Sequence, residues 1–234
     1  MQKNKVTTYL LYAFGEIILV VIGILIALQI NGWDEHRKEK HRAATYKTSL
    51  IKDLQEDSLS IVNVLTTIEL GRQEFLSLQQ RLTASTANLD TAYQIARYEV
   101  DLLADRIRPF NTNTFSTLSS TGDINLLPKD MVDLLLDLRR NQQLGLELGA
   151  LTYETFWEAV SDFSYQLPRA SQYGDNLVES GPLNDLFWES KTKQEVLELL
   201  NKAMSAKNNH YRISHMLLTE IQQQTHALLA ELRH

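Results

Sequence analysis

Residues 9–33 read YLLYAFGEIILVVIGILIALQINGW, and this stretch decides the architecture of the chain. Its only charged side chain is Glu16. A helix over Tyr9–Ile30 would be about 33 Å long at ~1.5 Å per residue, whereas the hydrocarbon core of a bilayer is about 30 Å thick. Aromatic residues lie at both margins, as expected for rings at the level of the lipid headgroups. The stretch therefore predicts a transmembrane helix.

Two alternatives exist for this apolar stretch. A cleaved signal peptide has a shorter apolar region of about 7–15 residues, followed by a small-x-small cleavage site. Here the sequence continues through Leu28-Gln29-Ile30-Asn31 without such a site. A buried core helix of a soluble protein is the second alternative. The length and the aromatic margins favour a retained membrane anchor.

Composition limits the chemistry that the rest of the chain can perform. The formal net charge of -6 argues against a nucleic-acid partner, which requires a basic face. The absence of cysteine removes disulfides, thiol catalysis and most zinc sites. The histidine pairs His36/His41 and His210/His215 are each five residues apart, which is unsuitable for two ligands on one helical face. We expect no metal, no cofactor and no catalytic residues, and we expect His210 to be a core histidine.

The sequence predicts four segments. Residues 1–8 form an N-terminal tail, 9–30 the transmembrane helix, 31–44 a charged juxtamembrane collar and 45–234 a helical-bundle domain. Along residues 50–82, eight of ten positions at four-three spacing are apolar, the exceptions being Asp57 and Gly71. This heptad seam predicts that the helix leaving the membrane continues into a bundle.

Further helices follow from spacing and from helix stop signals. After a turn at 83–88, we predict a helix that is capped by Asp90 or Thr91 and continues to about Ile107 before Pro109. Shorter segments come next: a helix at 114–120, a turn at 121–123 and an extended stretch at 124–127. We then predict a helix from Pro128 to Leu167, an irregular region over 168–190 that includes Gly174 and a short helix at 186–188, and a last helix over 191–232. The chain is predicted to be all-α, an elongated antiparallel bundle.

The anchor sequence strongly resembles the opening of a family of uncharacterised, single-span bacterial membrane proteins that carry a domain of unknown function. Residues 113–127, NTFSTLSSTGDINLL, match a second motif of that family more loosely. The resemblance implies an inner-membrane protein of Gram-negative bacteria with a periplasmic body. Members of the family usually begin with a long basic tail, which implies a cytoplasmic N-terminus, whereas this chain has a short tail. Counting Lys and Arg on either side of the span favours a cytoplasmic C-terminal body instead. We adopt the periplasmic orientation.

The first candidate site is a face of the transmembrane helix. Glu16, Val20, Gly23 and Ala27 follow one another at spacings of four, three and four residues, which places them on one side of the helix. Gly23 and Ala27 form a small-x-x-x-small pattern that lets two membrane helices approach closely. A carboxylate at this depth is costly unless it is paired, protonated or hydrated. We expect the face to dock another transmembrane helix, from a second copy or from a membrane-protein partner. The alternative is that Glu16 reaches the headgroups.

The second candidate site is a hydroxyl-rich loop that could line a ligand pocket or contact a partner. Its residues are Asn113, Phe115, Ser116, Ser120 and Gly122. The simpler interpretation is helix capping and turn formation.

Two functions from different classes remain open. The first is a non-enzymatic, membrane-anchored helical scaffold or assembly subunit, which contacts the lipid bilayer and other helices. The second is a periplasmic four-helix ligand-sensing domain that signals through a separate partner. A tightly packed bundle interior would favour the scaffold, whereas a pocket with convergent polar groups would favour the sensor.

Overall fold

The computed structural model describes residues 3–169 and 176–233, with no side-chain description for residues 3–8. These residues form six α-helices: α1 Lys3–Thr83, α2 Leu89–Gln94, α3 Asn113–Thr121, α4 Lys129–Gln166, α5 Pro182–Glu189 and α6 Lys193–Arg233. A π-helical turn, Ile95–Glu99, follows α2, and a 3-10 helix, Asp123–Leu126, follows α3. The described residues contain no strand, so the predicted all-α class is confirmed. Gly174 of the predicted irregular region lies outside the described residues.

The helices are distributed over two compact units. The first comprises residues 1–50 and 113–128, and the second comprises residues 51–112 and 129–234. The predicted domain boundaries after residues 8, 30 and 44 remain a prediction.

In the second unit, α4 and α6 run antiparallel. Their contacts pair rising numbers on α4 with falling numbers on α6, in the order Asn141–Glu220, Thr152–His210 and Asp162–Lys202. The residues of α1 in this unit also run against α6, from Ser58 beside His226 to Gly71 beside Tyr211. Packed antiparallel helices agree with the predicted bundle.

The interior of the second unit is apolar and aromatic. One cluster joins residues from α1, from the π-helical turn and the residue after it, from α4 and the residue after it, and from α5 and α6. Its members are Leu78, Ile95, Ala96, Val100, Phe156, Val160, Phe163, Leu167, Trp188, Val196, Leu200, Ala203 and Met204. The part of the predicted heptad seam that lies in this unit also packs inward, because its apolar positions from residue 54 to residue 78 are buried or partly buried. Burial of this surface is the main stabilising contribution to such a bundle.

The prediction of a second helix reaching Ile107 is wrong. The helix is capped by Asn88, whose Oδ1 accepts hydrogen bonds from the backbone nitrogens of Asp90 and Thr91, both at 3.0 Å. After the π-helical turn the chain becomes extended at Val100 and stays non-helical to residue 112. We call residues 100–112 the linking segment. Leu103, in the middle of this segment, is exposed.

The predicted extended stretch at 124–127 is also wrong. Gly122 adopts a left-handed conformation with φ of 75°, and a 3-10 helix follows it. The backbone nitrogens of Asn125 and Leu127 donate to the carbonyls three residues earlier, at 3.3 and 3.2 Å. The positive φ at Gly122 turns the chain directly into this short helix, which leaves Leu127 as the only extended residue of the four.

Candidate functional site

The predicted docking face lies on the apolar part of α1 and is open along its length. Glu16, Val20, Gly23 and Ala27 are all exposed. A Cβ atom added to Gly23 would meet nothing within 4 Å. The helix backbone is therefore accessible to a second helix at this point, as close packing between membrane helices requires.

The exposure of α1 extends around its whole circumference over residues 9–30, where every side chain is exposed. Large apolar side chains dominate this exposed surface, among them Leu19, Val20 and Ile24. By length and composition this one helix near the N-terminus is suitable for crossing a membrane, and a signal sequence has the same properties. Either way, this surface suits a lipid environment and not bulk water.

The structure places the residues of the predicted ligand or partner loop on α3 and on the turn after it: Asn113, Phe115, Ser116, Ser120 and Gly122. Phe115 is half-buried, and the other four residues are exposed. The neighbouring hydroxyl groups bond to the helix itself, because Ser120 Oγ and Thr121 Oγ1 both donate to the carbonyl of Thr117, at 3.1 and 2.9 Å. These contacts agree with the simpler interpretation of capping and turn formation.

Asp123, one residue after this loop, is the polar centre of the first unit. Its Oδ1 accepts a hydrogen bond from Arg42 Nη1 and its Oδ2 accepts one from Tyr46 Oη, both at 3.0 Å. Arg42 and Tyr46 are one helical turn apart on α1, so a single buried carboxylate binds two successive turns of that helix. Asp123 was not among the predicted site residues, although it directly follows the glycine that was.

A second buried carboxylate, Asp57, lies on the heptad seam of α1 and binds the end of the linking segment. Its Oδ1 accepts hydrogen bonds from the backbone nitrogen and from Nδ2 of Asn111, at 2.8 and 2.9 Å. Its Oδ2 accepts one from Gln142 Nε2 at 3.3 Å. Burial raises the pKa of the Asp57 carboxyl, and the hydrogen bonds from Asn111 together with the charge of Arg139 oppose that rise.

The linking segment is also held by side chains of α6. Three of its carbonyl oxygens accept hydrogen bonds: that of Asp101 from Lys207 Nζ at 2.7 Å, that of Leu103 from Tyr211 Oη at 3.3 Å and that of Asp105 from His210 Nε2 at 2.9 Å. Backbone groups that leave a helix near a core need such partners, since an unpaired buried carbonyl is costly. These polar side chains of α6 therefore serve the fold.

His210 is fully buried, which confirms the prediction of a core histidine. Since the carbonyl of Asp105 only accepts, Nε2 carries the hydrogen, and Nδ1 lies 2.9 Å from Thr152 Oγ1. Burial lowers the pKa of the imidazole, and the contact with Asp105 opposes this only in part. The ring is thus satisfied at both nitrogens.

One pair of side chains has the geometry of a nucleophile and a base. Ser58 Oγ lies 3.2 Å from His226 Nε2, on the surface between α1 and α6. Gln222 Nε2 lies 2.9 Å from that hydroxyl and 3.0 Å from the same imidazole nitrogen. Among the hydrogen bonds of residues 3–169 and 176–233, none joins a carboxylate to His226, whereas hydrolytic triads require such an orienting group. The contact fits a surface hydrogen-bond cluster.

A cavity of about 360 Å³ lies beside the N-terminus of α5 in the second unit. We call it the α5 cavity, and its lining comprises Arg97, Tyr98, Pro168, Arg169, Glu179, Ser180, Gly181, Asn184, Asp185 and Trp188. No part of the predicted hydroxyl-rich loop lines it. Sequence reasoning missed this cavity because its lining comes from three separate stretches of the chain.

The comparisons with known proteins give one family. Residues 16–136 match the model of DUF6090, described as a family of unknown function, and these 121 of 234 residues are just over half of the chain. The matched range contains most of the apolar helix, the linking segment and the 113–127 motif. No curated protein and no solved structure matches the chain.

Proposed function

This chain belongs to the DUF6090 family, and on that premise we propose that it is a non-enzymatic, membrane-anchored helical scaffold or assembly subunit. It acts through helix–helix contacts in the bilayer and through its bundle. The observation that carries the proposal is the continuous exposure of the apolar residues 9–30. Such a surface needs lipid or another apolar helix around it.

The proposed contact within the membrane uses the face of Glu16, Val20, Gly23 and Ala27. The glycine and the alanine permit close approach of a second helix, and the carboxyl group of Glu16 supplies a hydrogen bond or an ion pair across that contact. A protein partner thereby offsets the cost of placing Glu16 in the span. This helix comes from a second copy of the chain or from a different membrane protein.

The use of buried polar groups in the bundle supports a structural role. Asp57, Lys207 and His210 are the type of residue that catalysis employs, yet each bonds the backbone of the linking segment. Their hydrogen-bonding capacity is directed at holding the fold. The anchor, on this proposal, lies in a bacterial inner membrane with a single span and a periplasmic body.

The test is a purification of the tagged full chain in mild detergent, with wild type compared with Glu16→Leu and Gly23→Leu. Gly15→Leu is the matched control: its Cβ position is equally open, and it lies about 100° around the helix from Glu16. Native mass spectrometry and proteomics identify what is retained. We expect wild type and Gly15→Leu to keep a fixed oligomer or one membrane partner, and the two face variants to lose it.

A lone monomer for wild type would overturn the docking proposal, and so would equal retention by all four proteins. Orientation is tested separately with alkaline phosphatase fused to the C-terminus. Because that enzyme needs the oxidising periplasm for its disulfides, the proposed orientation predicts an active fusion. An inactive but intact fusion would place the body in the cytoplasm.

A further inference from the structure

We propose that the α5 cavity binds a small zwitterion, a molecule that carries one carboxylate and one ammonium group, which is the chemistry of a free amino acid. This site is independent of the membrane contact proposed above, and it adds ligand binding by the bundle, the property expected of a sensor, to the proposed scaffold role. The inference rests on the charges that line the cavity and on how the chain itself pairs them.

Two cations and two anions line the α5 cavity, and the chain pairs only half of them. Arg97 forms an ion pair with Asp185 and donates a hydrogen bond to Tyr93 Oη at 2.7 Å. Its guanidinium also lies 5.3 Å from the centre of the Trp188 ring. Arg97 and Asp185 are therefore committed to each other and to the aromatic wall.

Arg169 is the second cation of the cavity. Its Nε and Nη1 donate to the carbonyl oxygens of Arg97 and Val100, at 3.1 and 2.6 Å. Within residues 3–169 and 176–233 it has no ion pair with a carboxylate within 4 Å. Burial lowers the pKa of the Arg169 guanidinium, with the charge of Asp101 opposing that effect. A half-buried cation of this kind favours an anion as its partner.

Glu179 is the matching anion. Its Oε1 accepts a hydrogen bond from the backbone nitrogen of Asn176 at 3.1 Å. It too has no ion pair with a cationic side chain in the part of the chain that the structure describes. The cavity thus offers one guanidinium and one carboxylate whose charges a ligand with opposite groups would complement.

The size and the remaining walls of the α5 cavity also suit such a ligand. A volume of about 360 Å³ lies at the lower end of the range of about 300–1,000 Å³ for small-molecule pockets. Tyr98, which is exposed, supplies aromatic surface for the ligand's side chain, and the buried Trp188 forms part of the wall behind it. The π-helical turn that carries Arg97 and Tyr98 is a rare element that often occurs at functional sites.

The test uses the full chain in lipid nanodiscs and the fluorescence of Trp188, which lines the cavity. The other two tryptophans, Trp33 and Trp157, are exposed and are replaced by phenylalanine so that Trp188 alone reports. Each of the eighteen free L-amino acids other than tryptophan and tyrosine, which fluoresce themselves, is titrated at constant ionic strength. Acetate and methylammonium serve as probes that carry only one of the two charges.

We expect a saturable change in Trp188 emission with at least one amino acid, and binding at least about tenfold weaker for acetate and methylammonium. Arg169→Gln and Glu179→Gln should each raise Kd about tenfold or more. Glu179→Gln keeps an oxygen acceptor for Asn176, so it tests binding even if Arg169→Gln disturbs the end of the π-helical turn. Arg140→Gln, which changes an exposed arginine on α4, is the matched control and should bind as wild type does.

The proposal is overturned if none of the amino acids gives a saturable change. It is also overturned if Glu179→Gln binds as tightly as wild type, or if acetate binds as tightly as the amino acid. The last result would leave a simple anion site at Arg169.

Discussion

Asp57 Oδ1 accepts a hydrogen bond from the backbone nitrogen of Asn111 at 2.8 Å, so a carboxylate on the heptad seam of α1 holds the end of the linking segment. The two residues are 54 positions apart in sequence. The same carboxylate also accepts from Gln142 of α4. One polar residue in an apolar seam thereby joins two helices and a non-helical segment.

Replacing Asp57 with leucine should destabilise the bundle by about 2–4 kcal/mol, because the half-buried amide groups of Asn111 and the buried amide group of Gln142 lose their acceptor. The measurement is thermal unfolding of the full chain in detergent, followed by circular dichroism. Glu56→Leu, at the exposed neighbouring position, is the control and should change stability by less than about 0.5 kcal/mol. An Asp57→Leu variant as stable as this control would contradict the role of Asp57.

The two positions that break the heptad pattern explain how far the sequence predicts this fold. The apolar positions of the seam predict that α1 packs into a bundle, and in the structure these side chains are buried or partly buried. Asp57 and Gly71 read as exceptions in the sequence, yet each makes a specific tertiary contact: Asp57 binds Asn111, and Gly71 gives room to the ring of Tyr211. Periodicity identifies such exceptions but carries no information about the distant residues that they contact.

The prediction of a helix over the linking segment is wrong for a related reason. Its apolar spacing is helical, but its carbonyls are bound by Lys207, His210 and Tyr211 from α6. These side chains, more than 100 positions away in sequence, favour a non-helical backbone over the local preference for helix. The α5 cavity escaped prediction likewise, since Arg97, Arg169 and Glu179 meet only after folding. The apolar span, in contrast, is predicted from the sequence because it depends only on local composition.

Gly71 yields a prediction of its own. A Cβ atom at this position would lie 2.2 Å from Tyr211 Cε2, far inside contact distance. In an open helical position, Gly→Ala stabilises by up to about 1 kcal/mol. Here the rigid ring or the helix has to move, so we expect Gly71→Ala to destabilise by about 1–3 kcal/mol.

Gly32→Ala is the matched control, because a Cβ atom there would meet nothing within 4 Å. Thermal unfolding of both variants separates the clash from the helix preference of alanine. A stabilising effect of Gly71→Ala equal to that of Gly32→Ala would mean that Tyr211 does not pack against Gly71.

Buried His210 predicts a loss of stability in mild acid. Its pKa is lowered in the folded state by burial, whereas an unperturbed histidine titrates near pH 6.5. Between the folded pKa and about 6.5 the unfolded chain binds the additional proton, so the free energy of unfolding falls as the pH falls through this window. The contribution of one histidine is at most about 1.4 kcal/mol per pH unit.

The measurement compares the free energy of unfolding of wild type and His210→Gln at pH 7.5 and pH 5. Loss of packing makes the variant less stable than wild type at pH 7.5. At pH 5 the difference in free energy of unfolding between the two proteins should be smaller, because wild type loses the contribution of His210 whereas glutamine does not titrate. His36→Gln, in the exposed collar, retains His210 and should keep the wild-type decline. A constant difference between wild type and His210→Gln at both pH values would show that His210 does not couple to protons.

Asp123 predicts a local effect in the first unit. It is the shared acceptor of Arg42 and Tyr46, with both hydrogen bonds at 3.0 Å. Asp123→Ala removes these hydrogen bonds between the 3-10 helix and α1. Because Arg42 is half-exposed and its ion pair is screened by solvent, we expect the local stability to fall by only about 1–2 kcal/mol. Hydrogen exchange of the backbone amides in residues 113–127 should accelerate about tenfold, since local opening becomes less costly.

Asn125→Ala is the control for this experiment, because Asn125 lies in the same 3-10 helix and bonds only the local carbonyl of Gly122 at 3.2 Å. It removes a polar side chain without removing a contact to α1, so exchange over residues 113–127 should change much less than in Asp123→Ala. Tyr46→Phe removes one of the two donors and should give an intermediate acceleration. Equal exchange rates in wild type and Asp123→Ala would mean that apolar contacts such as that of the buried Leu118 suffice to hold α3 in place.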